Sequence, residues 1–415
     1  MGGTELEGLA RRVRAASREV ARASSSVRDD ALRAAADLLV NDPSGVLEAN
    51  RADVARAERE GLGSAALDRL GLTGERVTQM AEGLRAVAAL PDPVGEAVDG
   101  WVRPNGLRVE RVRVPLGVVG VIYENRPNVT SDAAGLCVKA GNAAFLRGSS
   151  SARTSNMAVV AVLRRALAKV GLPEDAIALV EDTSHETAVA FMRLRGLVDC
   201  LVPRGGKALI ASLLEHATVP YVLDGDGNCH VYVDAAADLD MAESIVVNAK
   251  TQRPGVCNAA ETLLVHADVA PGLLARLRTS LSEVELVADE RARVHLPGAA
   301  AATEQDFATE FLAMKLAVGV VDDLGGAIDH IARFGSGHSE AIVTRDLVAA
   351  DRFVREVDAA AVLVNASTRF VDGGELGLGA EVGISTQKLH ARGPMGPREL
   401  TCMKWVVRGE GHVRR

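Results

Sequence analysis

The sequence has few aromatic residues and no surplus of positive charge. Phe, Trp and Tyr make up 3% of the 415 residues, so the core must be built mainly from Ala, Val and Leu. Lys and Arg total 47 against 55 Asp and Glu, and the net charge of -8 disfavours general binding to nucleic acid or anionic membranes. No apolar run reaches membrane-spanning length, and the N-terminus lacks the apolar segment of a signal peptide.

Cysteine is scarce and scattered, at positions 137, 200, 229, 257 and 402. There is no C-x-x-C pair and no His/Cys cluster with metal-ligand spacing, so we expect reduced thiols in a cytoplasmic protein and no metal site. The sequence also lacks a G-x-G-x-x-G after a strand and a G-x-x-x-x-G-K-[ST] loop. Both absences exclude the standard nucleotide-binding fingerprints.

Apolar spacing divides the chain into a helical start and two α/β series. Its 415 residues are too many for one ordinary core, so two or three domains are expected. The first ninety residues follow helical spacing, and strands then alternate with helices, which predicts doubly wound parallel sheets. A glycine-rich break at 223–227 separates the two series. Predicted strands are 112–114, 117–123, 143–146, 177–180, 198–202, 230–233, 261–265, 316–321, 341–344 and 361–365. Predicted helices include 131–140, 154–170, 186–195, 207–216, 239–250 and 324–334.

The segment QRPGVCN at 252–258 contains the strongest candidate for a catalytic side chain. Cys257 follows a Pro-Gly turn and precedes an apolar strand, so its thiol can reach a substrate. A thiolate is the nucleophile of acyl-transfer chemistry. The alternative is a small buried apolar residue, which is the commoner role of a free cysteine.

Two loops between a strand and a helix combine glycine with a cation, RGSSS at 147–151 and PRGGK at 203–207. Backbone N–H groups and a cation at a helix N-terminus suit a phosphate, although turn geometry alone also accounts for such glycines. The candidate phosphate-binding residues are Arg147, Gly148, Ser149, Arg204, Gly205 and Gly206.

A third polar segment, NASTRF at 365–370, follows a predicted strand and therefore lies at the carboxyl edge of a sheet, where ligands bind. The hydroxyls of Ser367 and Thr368 beside Arg369 suit a carboxylate. The alternative is a glycine-rich loop with an ordinary surface arginine.

Several segments in order resemble one family. They are YENRPNVT at 123–130, LRG at 146–148, PRGG at 203–206, TQRPGVCN at 251–258, NASTRF, GLGAE at 377–381 and QKLHARGPMG at 387–396. This set resembles the glutamate-5-semialdehyde dehydrogenases, or gamma-glutamyl phosphate reductases, of the aldehyde dehydrogenase superfamily. The resemblance covers nearly the whole chain and is weakest in the first hundred residues and around 284–303.

The resemblance implies an aldehyde dehydrogenase-like α/β fold with two doubly wound domains and a small β oligomerisation flap. It places an NADP-binding domain at 1–102, 121–234 and 369–387, a catalytic domain at 235–368, and the flap at 103–120 and 388–415. It also implies a homo-oligomer, either a dimer or a tetramer. A further possible partner is the glutamate 5-kinase that supplies the substrate.

The implied reaction reduces L-glutamyl 5-phosphate with NADPH through a thioester on Cys257, in proline biosynthesis. Asn128 matches the superfamily's oxyanion asparagine; without the resemblance it reads as a turn residue after proline. Arg126 is a candidate substrate-binding residue of the same segment.

The remaining implied roles concern the cofactor. Glu310 and Phe311 match the pair in which the glutamate binds the nicotinamide ribose, and Arg147 occupies the position of a nucleotide-binding lysine. Arg153 is a candidate for the 2′-phosphate of NADP, with a surface salt bridge as the alternative.

One departure from the oxidising aldehyde dehydrogenases favours reduction. Their general-base glutamate has no counterpart near 223–226, although Asp224 and Asp226 could take that role. A thioester that accepts hydride should not meet an activated water. The alternatives are a reductase of another acyl phosphate or acyl-CoA, a non-catalytic relative, and a thiol hydrolase, which would need a histidine partner.

Overall fold

Five amphipathic helices open the chain and bury one face each. A computed structural model describes residues 3–414, apart from the side chains at 65 and 207. Buried residues of the first helix, including Leu6, Ala10 and Val13, recur every three to four positions, as helical packing requires. Ser24 caps the second helix, because its Oγ accepts a hydrogen bond from the N–H of Val27. The helices are α1 (Gly3–Arg22), α2 (Ser25–Asn41), α3 (Ser44–Arg59), α4 (Ser64–Leu70) and α5 (Gly74–Ala89).

An antiparallel hairpin follows, formed by β1 (Ala97–Val102) and β2 (Arg108–Pro115). Every residue of β1 is exposed, which explains why its hydrophobic pattern gave no strand prediction. The hairpin therefore lies outside the main cores.

The first parallel sheet has the strand order β5-β4-β3-β6. All six residues of the strand Val118–Tyr123 are buried, as expected for an inner strand covered on both faces. The chain adds strands on one side and then crosses to the other, which creates a switch point between β3 and β6. The elements are β3 (Val118–Tyr123), α6 (Asn128–Lys139), β4 (Ala143–Arg147), α7 (Arg153–Lys169), β5 (Ile177–Leu179), α8 (His185–Met192), β6 (Cys200–Arg204) and α9 (Lys207–His216).

The second parallel sheet has the order β10-β9-β11-β8-β7-β12-β13. Its inner strands are runs of Val, Leu and Ala that form a core separate from that of the first sheet. The strands are β7 (Cys229–Val233), β8 (Ala260–His266), β9 (Glu285–Ala288), β10 (Ala300–Ala301), β11 (Lys315–Val321), β12 (Ser339–Val343) and β13 (Ala361–Val364). The helices are α10 (Leu239–Thr251), α11 (Ala270–Ser280), α12 (Glu290–Arg293), α13 (Glu304–Phe307), α14 (Leu324–Phe334) and α15 (Leu347–Glu356).

The C-terminal segment completes the hairpin. After the short pair β14 (Ile384–Ser385) and β15 (Gly393–Pro394), the strand β16 (Thr401–Arg408) pairs antiparallel with β2. The three-stranded sheet exposes Trp101 and Trp405, whose rings lie edge to face at 5.7 Å. An exposed aromatic surface of this kind is what the predicted oligomerisation flap would present to a second copy.

Sheet membership moves three of the predicted domain boundaries. The strand 97–102 belongs to the flap sheet, and the strand that starts at Val118 belongs to the first parallel sheet. The strand Cys229–Val233 lies between β8 and β12, so it belongs to the second parallel sheet, whereas the predicted segment 121–234 assigned it to the first domain. We therefore propose boundaries near 96, 117 and 228, because hydrogen-bonded strands cannot be divided between domains.

Two findings concern classes of site. No helix within residues 3–414 combines the length and the apolar character needed to cross a membrane. In the same part of the chain, no group of three or more His, Cys, Asp or Glu side chains is arranged to hold a metal ion.

Candidate active site

The cysteine loop lies between the end of α10 and the start of β8, at the amino edge of the second sheet. Cys257 is partly exposed, whereas the backbone beneath it is tightly packed. Gly227 approaches so closely that a Cβ there would lie 1.6 Å from the carbonyl oxygen of Cys257, which only glycine permits. The same oxygen accepts a hydrogen bond from the thiol of the buried Cys229 at 3.1 Å. The thiol of Cys257 is thus presented from a tightly packed backbone.

The surroundings of the thiol keep it protonated at neutral pH. Burial raises the pKa of Cys257 to about 12, and the carboxylates of Asp224, Glu310 and Glu381 act in the same direction. Arg204 opposes them. Because these charged groups act on its thiol, Cys257 lies near the end of the first sheet, the loop of Glu310 and the segment around Glu381.

Asn128 is the first residue of α6, just beyond the carboxyl end of β3. Its side chain is exposed, and its Nδ2 donates a hydrogen bond to Asp132 Oδ2 at 3.0 Å, one helical turn further on. This contact fixes which end of the amide is the donor and leaves its second N–H available. Burial raises the pKa of Asp132 to about 6, and the hydrogen bonds from Asn128 and Ser131 oppose that rise.

The switch point between β3 and β6 contains Arg126 and Arg204, as parallel-sheet topology favours for a ligand site. Arg204 forms an ion pair with Asp224, whose other oxygen accepts the N–H of Ile384 at 2.8 Å. Arg126 is exposed; burial of part of its side chain and the nearby charge of Arg204 lower its pKa.

The N-terminus of α9 already holds a carboxylate. The N–H of Gly206 donates to Glu124 Oε2 at 3.0 Å, and a Cβ at Gly205 would lie 2.7 Å from the same carboxyl group. A helix N-terminus with its backbone donors favours negative charge. In this structure the donor of Gly206 is engaged by Glu124, and phosphate binding by the PRGG segment stays a prediction.

The RGSSS loop is held mainly by its own side chains. Arg147 Nη2 donates to the carbonyl oxygens of Thr183 at 2.8 Å and Ser184 at 3.1 Å. The Ser149 hydroxyl donates to Asn125 Oδ1 at 3.0 Å, which helps to hold Asn125 at its positive φ of 40°. A Cβ at Gly148 would lie 2.1 Å from Asn156 Nδ2, so this loop needs glycine for packing as well.

Arg153 forms the contact of the alternative interpretation. Its Nε donates to the carbonyl oxygen of Glu181 at 2.9 Å, and its Nη2 lies 3.2 Å from the Glu181 carboxylate. Both side chains are exposed. A carboxylate this close disfavours a second anion, so the structure gives no support to Arg153 as a 2′-phosphate ligand.

Glu310 lies at the same junction as the thiol. Its Oε1 accepts the N–H of Gly227 at 2.8 Å, directly behind the cysteine loop. Phe311 follows, with the ammonium group of Lys315 5.1 Å from its ring centre. The pair predicted to bind the nicotinamide ribose thus borders the cysteine.

The predicted carboxylate-binding residues divide into two groups. Ser367 and Thr368 are buried, at 4% and 0% exposure, and the Ser367 hydroxyl accepts the N–H of Arg369 at 3.3 Å. Arg369 is half-buried, and its Nε donates to Gln252 Oε1 at 2.8 Å, five residues before the thiol. Only the arginine of this group is therefore presented to the cleft.

The segment 365–369 starts at one edge of the second sheet and reaches the other. The strand β13 ends at Val364, so Asn365 lies at the carboxyl edge of the second sheet, as predicted. Cys257 precedes β8 and lies at the opposite, amino edge. The chain turns back after Asn365, and Arg369 reaches the thiol's side of the sheet through Gln252.

Sequence reasoning missed the residues that hold these groups. Asp132, Gln252 and Cys229 each contact a candidate side chain or its backbone. Only Asp132 had a signal, since a donor and a carboxylate four residues apart meet on one face of a helix.

Comparisons with known proteins identify the family and the fold. The model of the aldehyde dehydrogenase family matches residues 3–311. The chain is 54% identical to the gamma-glutamyl phosphate reductase of Moorella thermoacetica over 99% of both chains. It is 53% identical to that of Thermobifida fusca, with the same coverage of both.

A solved structure agrees as well. The crystal structure of gamma-glutamyl phosphate reductase from Thermotoga maritima superposes with a TM-score of 0.97 at 46% identity, covering 99% of this chain and 100% of that one. The predicted resemblance and fold class are confirmed. This chain therefore belongs to the gamma-glutamyl phosphate reductases of the aldehyde dehydrogenase family, which are oxidoreductases that use a nicotinamide cofactor.

Proposed function

We propose that the chain reduces L-glutamyl 5-phosphate to L-glutamate 5-semialdehyde and phosphate, using NADPH, in proline biosynthesis. The observation that carries the proposal is the placement of Cys257 among four arginines. The charges of Arg204 and Arg369 interact with the thiol of Cys257, and those of Arg126 and Arg253 interact with these two arginines. A substrate with a phosphate at one end and a carboxylate at the other needs such a site.

In the proposed first step, the sulfur of Cys257 attacks the acyl carbon, and the bond from that carbon to the phosphate oxygen breaks. The products are a thioester and inorganic phosphate. The sulfur reacts as the thiolate, and the departing phosphate takes up the proton that the thiol loses and leaves as hydrogen phosphate.

The side-chain amide of Asn128 and the backbone N–H of Cys257 would stabilise the oxyanion that develops on the carbonyl oxygen. Asp224 is unsuited to activate water against the thioester, because one of its oxygens pairs with Arg204 and the other accepts the N–H of Ile384. This arrangement supports hydride transfer over hydrolysis.

When bound, NADPH supplies the hydride that converts the thioester to the aldehyde and frees the thiol. Glu310 and Phe311 would hold the nicotinamide ribose beside Cys257. The segments Arg147–Ser149 and Arg204–Gly206 would hold the phosphates. The second assignment is supported by the helix end itself, whose backbone N–H groups favour negative charge; a phosphate there would displace the carboxylate of Glu124 from the N–H of Gly206.

The reverse reaction tests the function directly. Purified protein with pyrroline-5-carboxylate and NADP should form NADPH only when inorganic phosphate is added, since phosphate must attack the thioester. Coenzyme A and water are the matched alternatives. If coenzyme A replaces phosphate, the chain is an acyl-CoA reductase; if water suffices and glutamate is released, it is an aldehyde-oxidising relative.

Arg369 should determine the KM for the amino-acid substrate. The substitution Arg369→Lys keeps the charge but loses the bidentate fork that fits a carboxylate. The KM for pyrroline-5-carboxylate should rise far more than the KM for NADP. Arg355→Lys, at an exposed position on α15, is the control and should change neither. Equal increases in both KM values for Arg369→Lys would remove Arg369 from the substrate site.

A further inference from the structure

A buried ion pair lies beneath the cysteine loop. Lys250, in the last turn of α10, has its Nζ 2.6 Å from Oε2 of Glu261, at the start of β8, and both side chains are 0% exposed. Burial raises the pKa of Glu261 and lowers that of Lys250, and their mutual contact opposes both shifts. An apolar pair of similar volume is commonly as stable as a buried ion pair. Stability alone is thus a weak reason for charges here.

The second oxygen of Glu261 has a different partner. Glu261 Oε1 accepts the backbone N–H of Leu312 at 3.1 Å. Leu312 adopts a positive φ of 53°, a left-handed conformation that a leucine avoids unless the surrounding structure imposes it. The carboxylate therefore holds a strained backbone position.

Leu312 connects this carboxylate to the cofactor side of the cleft. It lies two residues after Glu310, whose Oε1 accepts the N–H of Gly227 at 2.8 Å. Gly227 in turn packs against the carbonyl group of Cys257. The Lys250–Glu261 pair is thus connected to Cys257. The connection runs through the hydrogen bond to Leu312, along the backbone to Glu310, and through Gly227 to the carbonyl group of Cys257.

We propose that Glu261 is a positioning residue that fixes Glu310, and with it the nicotinamide ribose, relative to the thiol of Cys257. The proposal rests on the proposed function for the role of Glu310. Glu261 itself contacts neither the substrate nor the cofactor, and acts through its hydrogen bond to the Leu312 backbone.

A pair of double variants separates positioning from stability. Removing one charge alone would strand the other in the core, so both charges are removed together. Lys250→Met with Glu261→Gln keeps an amide oxygen that can accept the Leu312 N–H. Lys250→Met with Glu261→Met has nearly the same volume but no acceptor. The two variants therefore differ in whether residue 261 can accept the Leu312 N–H, and the Tm of each reports the cost of the buried amide group of Gln.

The variant with Met at 261 should bind NADPH more weakly by calorimetry than the one with Gln, at a similar Tm. Its kcat should be lower by about 10–100-fold, the scale expected when reacting groups are displaced by about 1 Å. Its KM for NADP should rise more than its KM for pyrroline-5-carboxylate. The control is the double variant Lys139→Met with Asp29→Met. It removes an ion pair between α6 and α2 and should leave NADPH affinity unchanged.

Equal NADPH affinity and equal kcat in the two double variants would overturn the proposal. So would losses of affinity and activity that simply follow Tm. Failure of the proposed function gives a different pattern, since the wild-type protein would then lack phosphate-dependent NADPH formation. The calorimetric comparison of the two variants still decides whether Glu261 positions the cofactor site.

Discussion

The variant Cys257→Ala should have no measurable turnover in the phosphate-dependent reaction while it binds NADPH like the wild-type protein. The thioester cannot form without the sulfur, and no other thiol among the described residues takes its place: Cys137, Cys200 and Cys229 are buried and Cys402 lies on the flap sheet. The measurements are NADPH formation from pyrroline-5-carboxylate and calorimetric NADPH binding. Turnover comparable to wild type would disprove covalent catalysis by this residue.

Cys402→Ala is the matched control, because it removes a thiol from the exposed flap sheet and should leave kcat unchanged. Cys229→Ala is the more informative comparison. Cys229 donates to the carbonyl oxygen of Cys257, so its loss removes a support of the cysteine loop but not the nucleophile. Cys229→Ala should retain turnover with reduced stability, as should alanine at Cys137 and Cys200.

The pH dependence of thiol labelling gives a second check on the same residue. Only the thiolate reacts with iodoacetamide, and burial raises the pKa of Cys257 to about 12. The labelling rate of the ligand-free protein should therefore increase about tenfold per pH unit between pH 7 and pH 9, without a plateau. A plateau in that range would mean that the pKa of the Cys257 thiol lies within or below that pH range, and that burial does not raise it as expected.

Most of the fold follows from hydrophobic periodicity, because buried faces leave a direct imprint on the sequence. The prediction 324–334 coincides with α14, and the strand 361–365 differs from β13 by one residue. Strands without a buried face leave no such imprint. The exposed β1 and the two-residue β10 were therefore missed.

The candidate site was less predictable, since a motif identifies a side chain but not its partner. The QRPGVCN segment identified Cys257, but only the folded chain shows Gly227 between Cys257 and Glu310. Arg153 is a second example, because its ion-pair partner Glu181 lies 28 residues away and was not identified from the sequence. Contacts between distant segments are set by packing and leave no local signal.

Asn128→Ala should lower kcat of the phosphate-dependent reaction by about 100–1,000-fold, the usual cost of losing one oxyanion donor. The alanine variant should keep its affinity for NADPH, because the amide acts on charge that develops only during the reaction. Initial rates at saturating substrate, together with calorimetric NADPH binding, measure the two effects. An unchanged kcat would mean that Asn128 is only the first residue of α6.

The hydrogen bond from Asn128 to Asp132 adds a pH dependence to this effect. Burial raises the pKa of Asp132 to about 6, so the carboxylate that holds the amide becomes protonated as the pH falls through that value. The amide then loses its charged acceptor and its fixed orientation, and the ratio of wild-type to Asn128→Ala rates should be smaller at pH 5 than at pH 7. Residue 132 cannot ionise in the variant Asp132→Asn. The ratio of its rate to that of the double variant Asp132→Asn with Asn128→Ala should therefore be constant across this range. If the ratio in the wild-type background stays constant as well, Asp132 does not orient the oxyanion donor, and the contact at 3.0 Å serves only to stabilise the first turn of α6.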